Sequence, residues 1–151
     1  MPHGCANKES METLTLPNEI LLQEVGAQLL EGRDVILMTK GSSMLPFIRG
    51  EKDSVRLRRM SSVQIRDVVL AQISPGHYVL HRVLAIEGDR LTLMGDGNLK
   101  GTESCSVSDI LGTAVAIVRP DGSEHKLPLA LWWQALLPLR RYILGIYRRL
   151  I

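Results

Sequence analysis

A chain of 151 residues with 45% apolar residues has room for one hydrophobic core, and a formal net charge of +2 is too small to mark a nucleic-acid binder. Two cysteines, Cys5 and Cys105, exclude a disulfide framework, and no set of His, Cys and acidic residues shows metal-ligand spacing, so neither a metal nor another cofactor is expected. Residues 1–14 are polar and read as a disordered lead; they lack the apolar run of a signal peptide or anchor, which points to the cytoplasm.

The first helix signal follows. Leu22, Val25 and Leu29 make one stripe with Leu21 beside it, Glu19, Glu24 and Gln28 take the other side, and Gly32 supplies a stop. Pro17 suits the first helical turn. Strand-like runs then recur at Val35–Met38, Ser54–Arg58, Val68–Ile73, Tyr78–Ile86, Leu91–Met94 and Ile110–Val118. The run at Val68–Ile73 is nearly continuous in apolar residues, as a strand buried on both faces requires. Glu87-Gly88-Asp89-Arg90 reads as a hairpin turn. Six short strands between Gly and Pro punctuation predict a mainly β fold, a small partly open barrel or sandwich with antiparallel pairing, across residues 15–126.

Residues 127–151 differ in character. Leu127 to Leu139 carries no charge but is 13 residues long, short of the roughly 20 that cross a bilayer. Beyond Pro138, Tyr142, Ile143, Ile146, Tyr147 and Leu150 share a helical side, with Arg140, Arg141, Arg148 and Arg149 opposite. This is the pattern of an amphipathic helix that either lies on a membrane surface, where Trp132, Trp133 and the tyrosines would settle, or docks on the β domain.

Three short stretches carry the chemistry: Gly41-Ser42-Ser43-Met44-Leu45-Pro46, then Val79-Leu80-His81-Arg82-Val83, then Gly95-Asp96-Gly97-Asn98. A serine hydroxyl becomes a nucleophile when a base takes its proton, and an acid on the base's far nitrogen fixes its tautomer. Taken singly, each residue has a plainer reading as a turn cap, a packed strand histidine or a turn aspartate. Together, the predicted hairpin returns Asp96 to the neighbourhood of His81. His77 is a rival base on the same strand, and His3 and His125 read as bystanders.

These stretches resemble the boxes of type I signal peptidases. Ser43-Met44-Leu45-Pro46 is similar to the Ser-Met-x-Pro box, His81-Arg82-Val83 to the second box in its histidine-base form, and Gly95-Asp96-Gly97-Asn98 to the Gly-Asp-Asn box. The resemblance covers about Val35 to Val118. It implies the mostly β partial barrel shared with LexA-type repressors, Ser43 as nucleophile, His81 as base and an acid nearby. For that acid, Asp96, Glu103 and Asp109 compete, with Asp96 the first candidate and Glu103 the possible third member in its place. The family's oxyanion serine falls at Gly41, so the oxyanion would rest on backbone N–H groups or on Ser42. Gly97 is an insertion within the third box.

The leading expectation is thus a serine endopeptidase, a hydrolase that removes a leader or signal segment from a peptide or small protein. Its partners would be that substrate and a membrane surface met through residues 127–151 on the inner face, with no nucleic acid. A LexA-type self-cleaving regulator is disfavoured, because too little chain precedes Ser43 for a DNA-binding domain and there is no Ala-Gly or Cys-Gly pair. A non-catalytic peptide-binding module on the same fold is the other alternative, and none of the three site residues is missing, as it would require.

Overall fold

The structure, a computed structural model, describes residues 18–98, 101–128 and 139–150. The lead, Pro17, Trp132, Trp133 and Pro138 lie outside the described residues. Helix α1 spans Asn18–Leu30. Its residues Leu21, Val25 and Leu29 recur every four positions and are buried, whereas Leu30 is 67% exposed. The helix ends at Gly32, whose φ of 86° is open to glycine without strain.

Among the described residues eight strands follow: β1 Val35–Met38, β2 Ser54–Arg58, β3 Val68–Ser74, β4 His77–Glu87, β5 Arg90–Met94, β6 Glu103–Ser106, β7 Ile110–Val118 and β8 Glu124–His125. They form one antiparallel sheet in the order β1-β2-β7-β3-β4-β5-β6, with β8 added to β7. The sheet is not closed: β1 and β6 end its path. The β4–β5 connection is the foreseen tight turn, Glu87 facing Arg90 across Gly88-Asp89. Register shifts at Arg56/Leu57, Leu70/Ala71, Gln72/Ser74 and Val83/Ala85 are the kind of irregularity that bends and twists strands, and they let a single sheet curl around its contents.

Strand β3 explains the continuous apolar run. Val68 and Leu70 enter one core with Val25, Leu29, Val55, Leu57 and Ile117, while Val69 and Ala71 enter a second with Val83, Leu91, Leu93 and Cys105. Both faces of this strand are therefore covered, and each fully buried Val or Leu contributes about 1.5–3 kcal/mol relative to exposure. Helix α2, Arg140–Leu150, closes the described chain. It packs Leu144, with Ile143 and Tyr147, on Leu45 and Phe47, directly after Ser43. No helix among the described residues is long and apolar enough to cross a membrane.

Candidate active site

The serine motif leaves edge strand β1 and forms a loop tied at its neck. The Thr39 N–H and hydroxyl both donate to the Asp53 carbonyl, at 3.1 and 2.8 Å. The Asp53 carboxylate is fully buried and accepts from the Arg49 N–H at 2.8 Å, from the Arg49 guanidinium at 3.0 and 3.1 Å, and from Arg119 at 2.7 Å. Burial pushes this carboxyl up, but the Arg49 hydrogen bonds and the Arg119 charge outweigh it and hold it below the usual carboxylate range. Met44 and Ile48 anchor the loop in the main core, and Leu45 is buried against helix α2. The nucleophile candidate therefore sits on a packed, closed loop.

A second loop lies against it backbone to backbone. The Gly97 N–H donates to the Ser43 carbonyl at 2.7 Å, and the Asp96 N–H points at the Met44 sulfur at 3.4 Å. A Cβ at Gly95 would lie 2.3 Å from the Ser43 carbonyl oxygen, and one at Gly97 would lie 2.4 Å from that of Ser42. On the other flank, a Cβ at Gly50 would lie 2.0 Å from the Gly41 carbonyl oxygen. Real Cβ contacts do not reach such distances, so three glycines define where residues 41–43 run. Gly97 supplies the hydrogen bond that holds the Ser43 carbonyl.

His81 is 5% exposed on β4. Its Nδ1 lies 2.6 Å from Glu103 Oε1, on β6. A carboxylate only accepts, so Nδ1 carries the proton in this contact, and in the neutral imidazole Nε2 keeps its lone pair. Nε2 lies 3.1 Å from the position of a Gly95 Cβ, the same point that approaches the Ser43 carbonyl. His81 and Ser43 thus flank one glycine from two sides. Ser43 and His81 line the same cavity, and no hydrogen bond joins their side chains in this structure.

Asp96 takes a different role from the one expected. The hairpin does return it to the end of β5, but its carboxylate is gripped by Arg82, whose Nε and Nη2 donate to its two oxygens at 2.8 and 2.7 Å. Alternation is the reason: Arg82 follows His81 and points the other way, so an acid on its side meets the guanidinium. Both side chains are buried, 1% and 0% exposed. Arg82 Nη1 also donates to the carbonyls of Arg66 and Pro128, each at 2.9 Å, and the guanidinium lies over the Phe47 ring. Arg82 therefore joins the serine loop, the Asp96 loop, the approach to β3 and the start of the C-terminal segment. The acid on His81 is Glu103. Sequence reasoning did not foresee Arg82's part, although a charged residue inside the apolar run Val79–Ala85 signals a buried partner.

The remaining candidates fall as follows. The Gly41 N–H points at Glu51 Oε2, 3.4 Å away, and is turned to that side chain. Asp109 caps the turn after β6 by accepting from the Ser106 N–H at 2.9 Å and is not part of the site. His77 is exposed at the far end of β4. Burial, and then the Asp109 carboxylate, push the Cys105 thiol up, which disfavours a thiolate nucleophile. A cavity of about 220 Å³ is lined by Ser43 and His81 together with Leu22, Leu37, Leu70 and Tyr78. No protein-family model matches the chain, and no curated protein is significantly similar to it.

Proposed function

We propose that the chain is a serine endopeptidase of signal-peptidase type, with Ser43 as nucleophile, His81 as general base and Glu103 as the acid that orients the imidazole. The observation that carries this reading is the 2.6 Å contact between His81 Nδ1 and Glu103, which in the neutral imidazole keeps the proton on Nδ1 and leaves Nε2 as the acceptor, with His81 and Ser43 lining one cavity. The curled, open antiparallel sheet with its serine loop after an edge strand supports a fold of the signal-peptidase and LexA type. Catalytic hydrogen bonds are often unformed without substrate, so a serine and an imidazole on one cavity wall are compatible with the role.

The reaction follows from these positions. A peptide lies extended along the cavity with an apolar side chain against Leu22, Leu37 and Tyr78. Ser43 Oγ attacks the scissile carbonyl carbon while Nε2 takes the hydroxyl proton, and Glu103 stabilises the imidazolium that forms. The oxyanion is met by backbone N–H groups at Ser42 and Ser43. Nε2–H then protonates the leaving amine and the C–N bond breaks. Water attacks the acyl ester, returns a proton through His81 and restores Ser43. The buried Arg82–Asp96 pair touches none of these atoms; it holds the loop on which Ser43 is registered. Incubation with a library of leader-type peptides, read by mass spectrometry, tests the proposal. Cleavage that vanishes in Ser43→Ala and survives in Ser42→Ala is expected; peptides bound but never cut would favour a binding module.

A further inference from the structure

Helix α2 has two apolar sides, and among the described residues only one is packed against the β domain. Ile143, Leu144 and Tyr147 pack on Leu45 and Phe47. Leu139, just before the helix, with Tyr142, Ile146 and Leu150, recurs every three or four positions and remains 50%, 58%, 61% and 80% exposed. At about 100° per residue this outward stripe lies roughly a quarter turn from the docked side. The helix contains four arginines and no acid. Arg149 borders the stripe, and Arg141 and Arg148 lie on the remaining polar face, all exposed. Arg141 Nη2 donates to the Tyr142 hydroxyl at 2.8 Å and its guanidinium stacks on the ring, which fixes a polar tip at the edge of the apolar stripe.

We propose that this outward stripe is a docking surface for an anionic lipid bilayer, with α2 lying in the headgroup plane. An apolar stripe bordered by cations without acids matches such a surface in both polarity and charge. A second copy of the chain matches poorly. Stable protein interfaces take about 800 Å² and 20–30 residues per partner, far more than four side chains, and a two-fold contact would bring arginine clusters together. The quarter-turn offset has a consequence for the site. The serine loop sits beside the docked helix, within about one helix diameter, 10–12 Å, of the lipid plane. A substrate anchored in that membrane would then present its scissile bond at the depth of Ser43. This placement rests on the peptidase reading, but the docking itself does not.

Flotation of the full chain with vesicles tests the docking without any cleavage assay. The protein should float with phosphatidylcholine vesicles containing phosphatidylglycerol, should float poorly with phosphatidylcholine alone, and should be released by high salt. Ile146→Asp and Leu150→Asp should each weaken binding by about tenfold or more, with an unchanged circular-dichroism spectrum and melting temperature because both side chains are already exposed. Arg149→Glu should weaken binding to the anionic vesicles while leaving the weak background binding to phosphatidylcholine as it was. The proposal is overturned if the wild type stays in the dense fraction with both vesicle types, or if both aspartate variants float as well as the wild type. It is also overturned if the wild type is a dimer in solution that Ile146→Asp makes monomeric. Failure of peptide cleavage with intact flotation would sink the peptidase reading alone.

Discussion

The two acids near His81 have separable jobs, and substituting each in turn tells them apart. Asp96→Asn removes one half of a buried bidentate pair and leaves the Arg82 guanidinium charged and only 1% exposed. Breaking a buried ion pair from one side costs about 3–5 kcal/mol, because the surviving charge keeps its desolvation penalty without its partner. For a chain of this size each kcal/mol lowers the melting temperature by about 2–4 °C, so a fall of about 6–20 °C is expected. The partner is central to the packing around the serine loop, so activity should fall along with stability. Glu103→Gln is different. Glu103 sits on an edge strand with its side chain 26% exposed, so its loss should move the melting temperature little. Cleavage should nevertheless fall by about 10⁴-fold, because an amide no longer fixes the histidine tautomer. Thermal melting followed by circular dichroism, together with peptide cleavage at a temperature where both variants are folded, separates the two. The assignment fails if Asp96→Asn melts like the wild type, or if Glu103→Gln cleaves normally while folded Asp96→Asn is dead.

Three further outcomes are expected. Gly95→Ala would place a methyl 2.3 Å from the Ser43 carbonyl oxygen and must displace the loop, so cleavage should drop by about a hundredfold. Gly145→Ala, where a Cβ meets nothing within 4 Å, should leave cleavage unchanged and stabilise α2 by roughly 0.5–1 kcal/mol. Asp53 makes the fold acid-sensitive. Its folded carboxyl is held below the unfolded value of about 3.9, so its contribution is present above about pH 4 and is lost as pH falls through the folded value. Asp53→Asn should melt lower at neutral pH and lose part of the acid dependence below about pH 4; an unchanged acid transition would refute the clamp.

Much of the frame was legible in the sequence because its signals are local. The helix stripe of Leu22, Val25 and Leu29 with Leu21 beside it, the two-faced burial of Val68–Ala71 and the Gly88-Asp89 turn each follow from periodicity or backbone freedom; the structure has all three, with Leu21 buried beside Val25 and Leu29 and Leu22 partly buried. Strand β6 was not foreseen, since Glu-Ser-Cys-Ser reads as polar and only Cys105 among its four residues is buried. That omission hid the position of Glu103: with β6 paired to β5, Glu103 stands opposite Leu93, two strands from β4, and reaches His81 across the sheet. Asp96 was favoured because chain proximity brings it to β4, but alternation decides which neighbour it meets, and that neighbour is Arg82. For α2 the sequence offered docking or exposure as alternatives. The structure divides the apolar residues between them, a division that depends on Leu45 and Phe47, about a hundred positions earlier.

The central claim is that Ser43 is activated by His81. It is tested most directly by a peptidyl phosphonate with an apolar side chain at the reacting position, which modifies only an activated serine. The account predicts a single adduct on the intact protein, mapped to Ser43 by tandem mass spectrometry. It should be retained in Ser42→Ala, lost in Ser43→Ala and in His81→Ala, and slowed by about 10⁴-fold in Glu103→Gln. An adduct on Ser42, or one on Ser43 that forms as fast in His81→Ala as in the wild type, would contradict it.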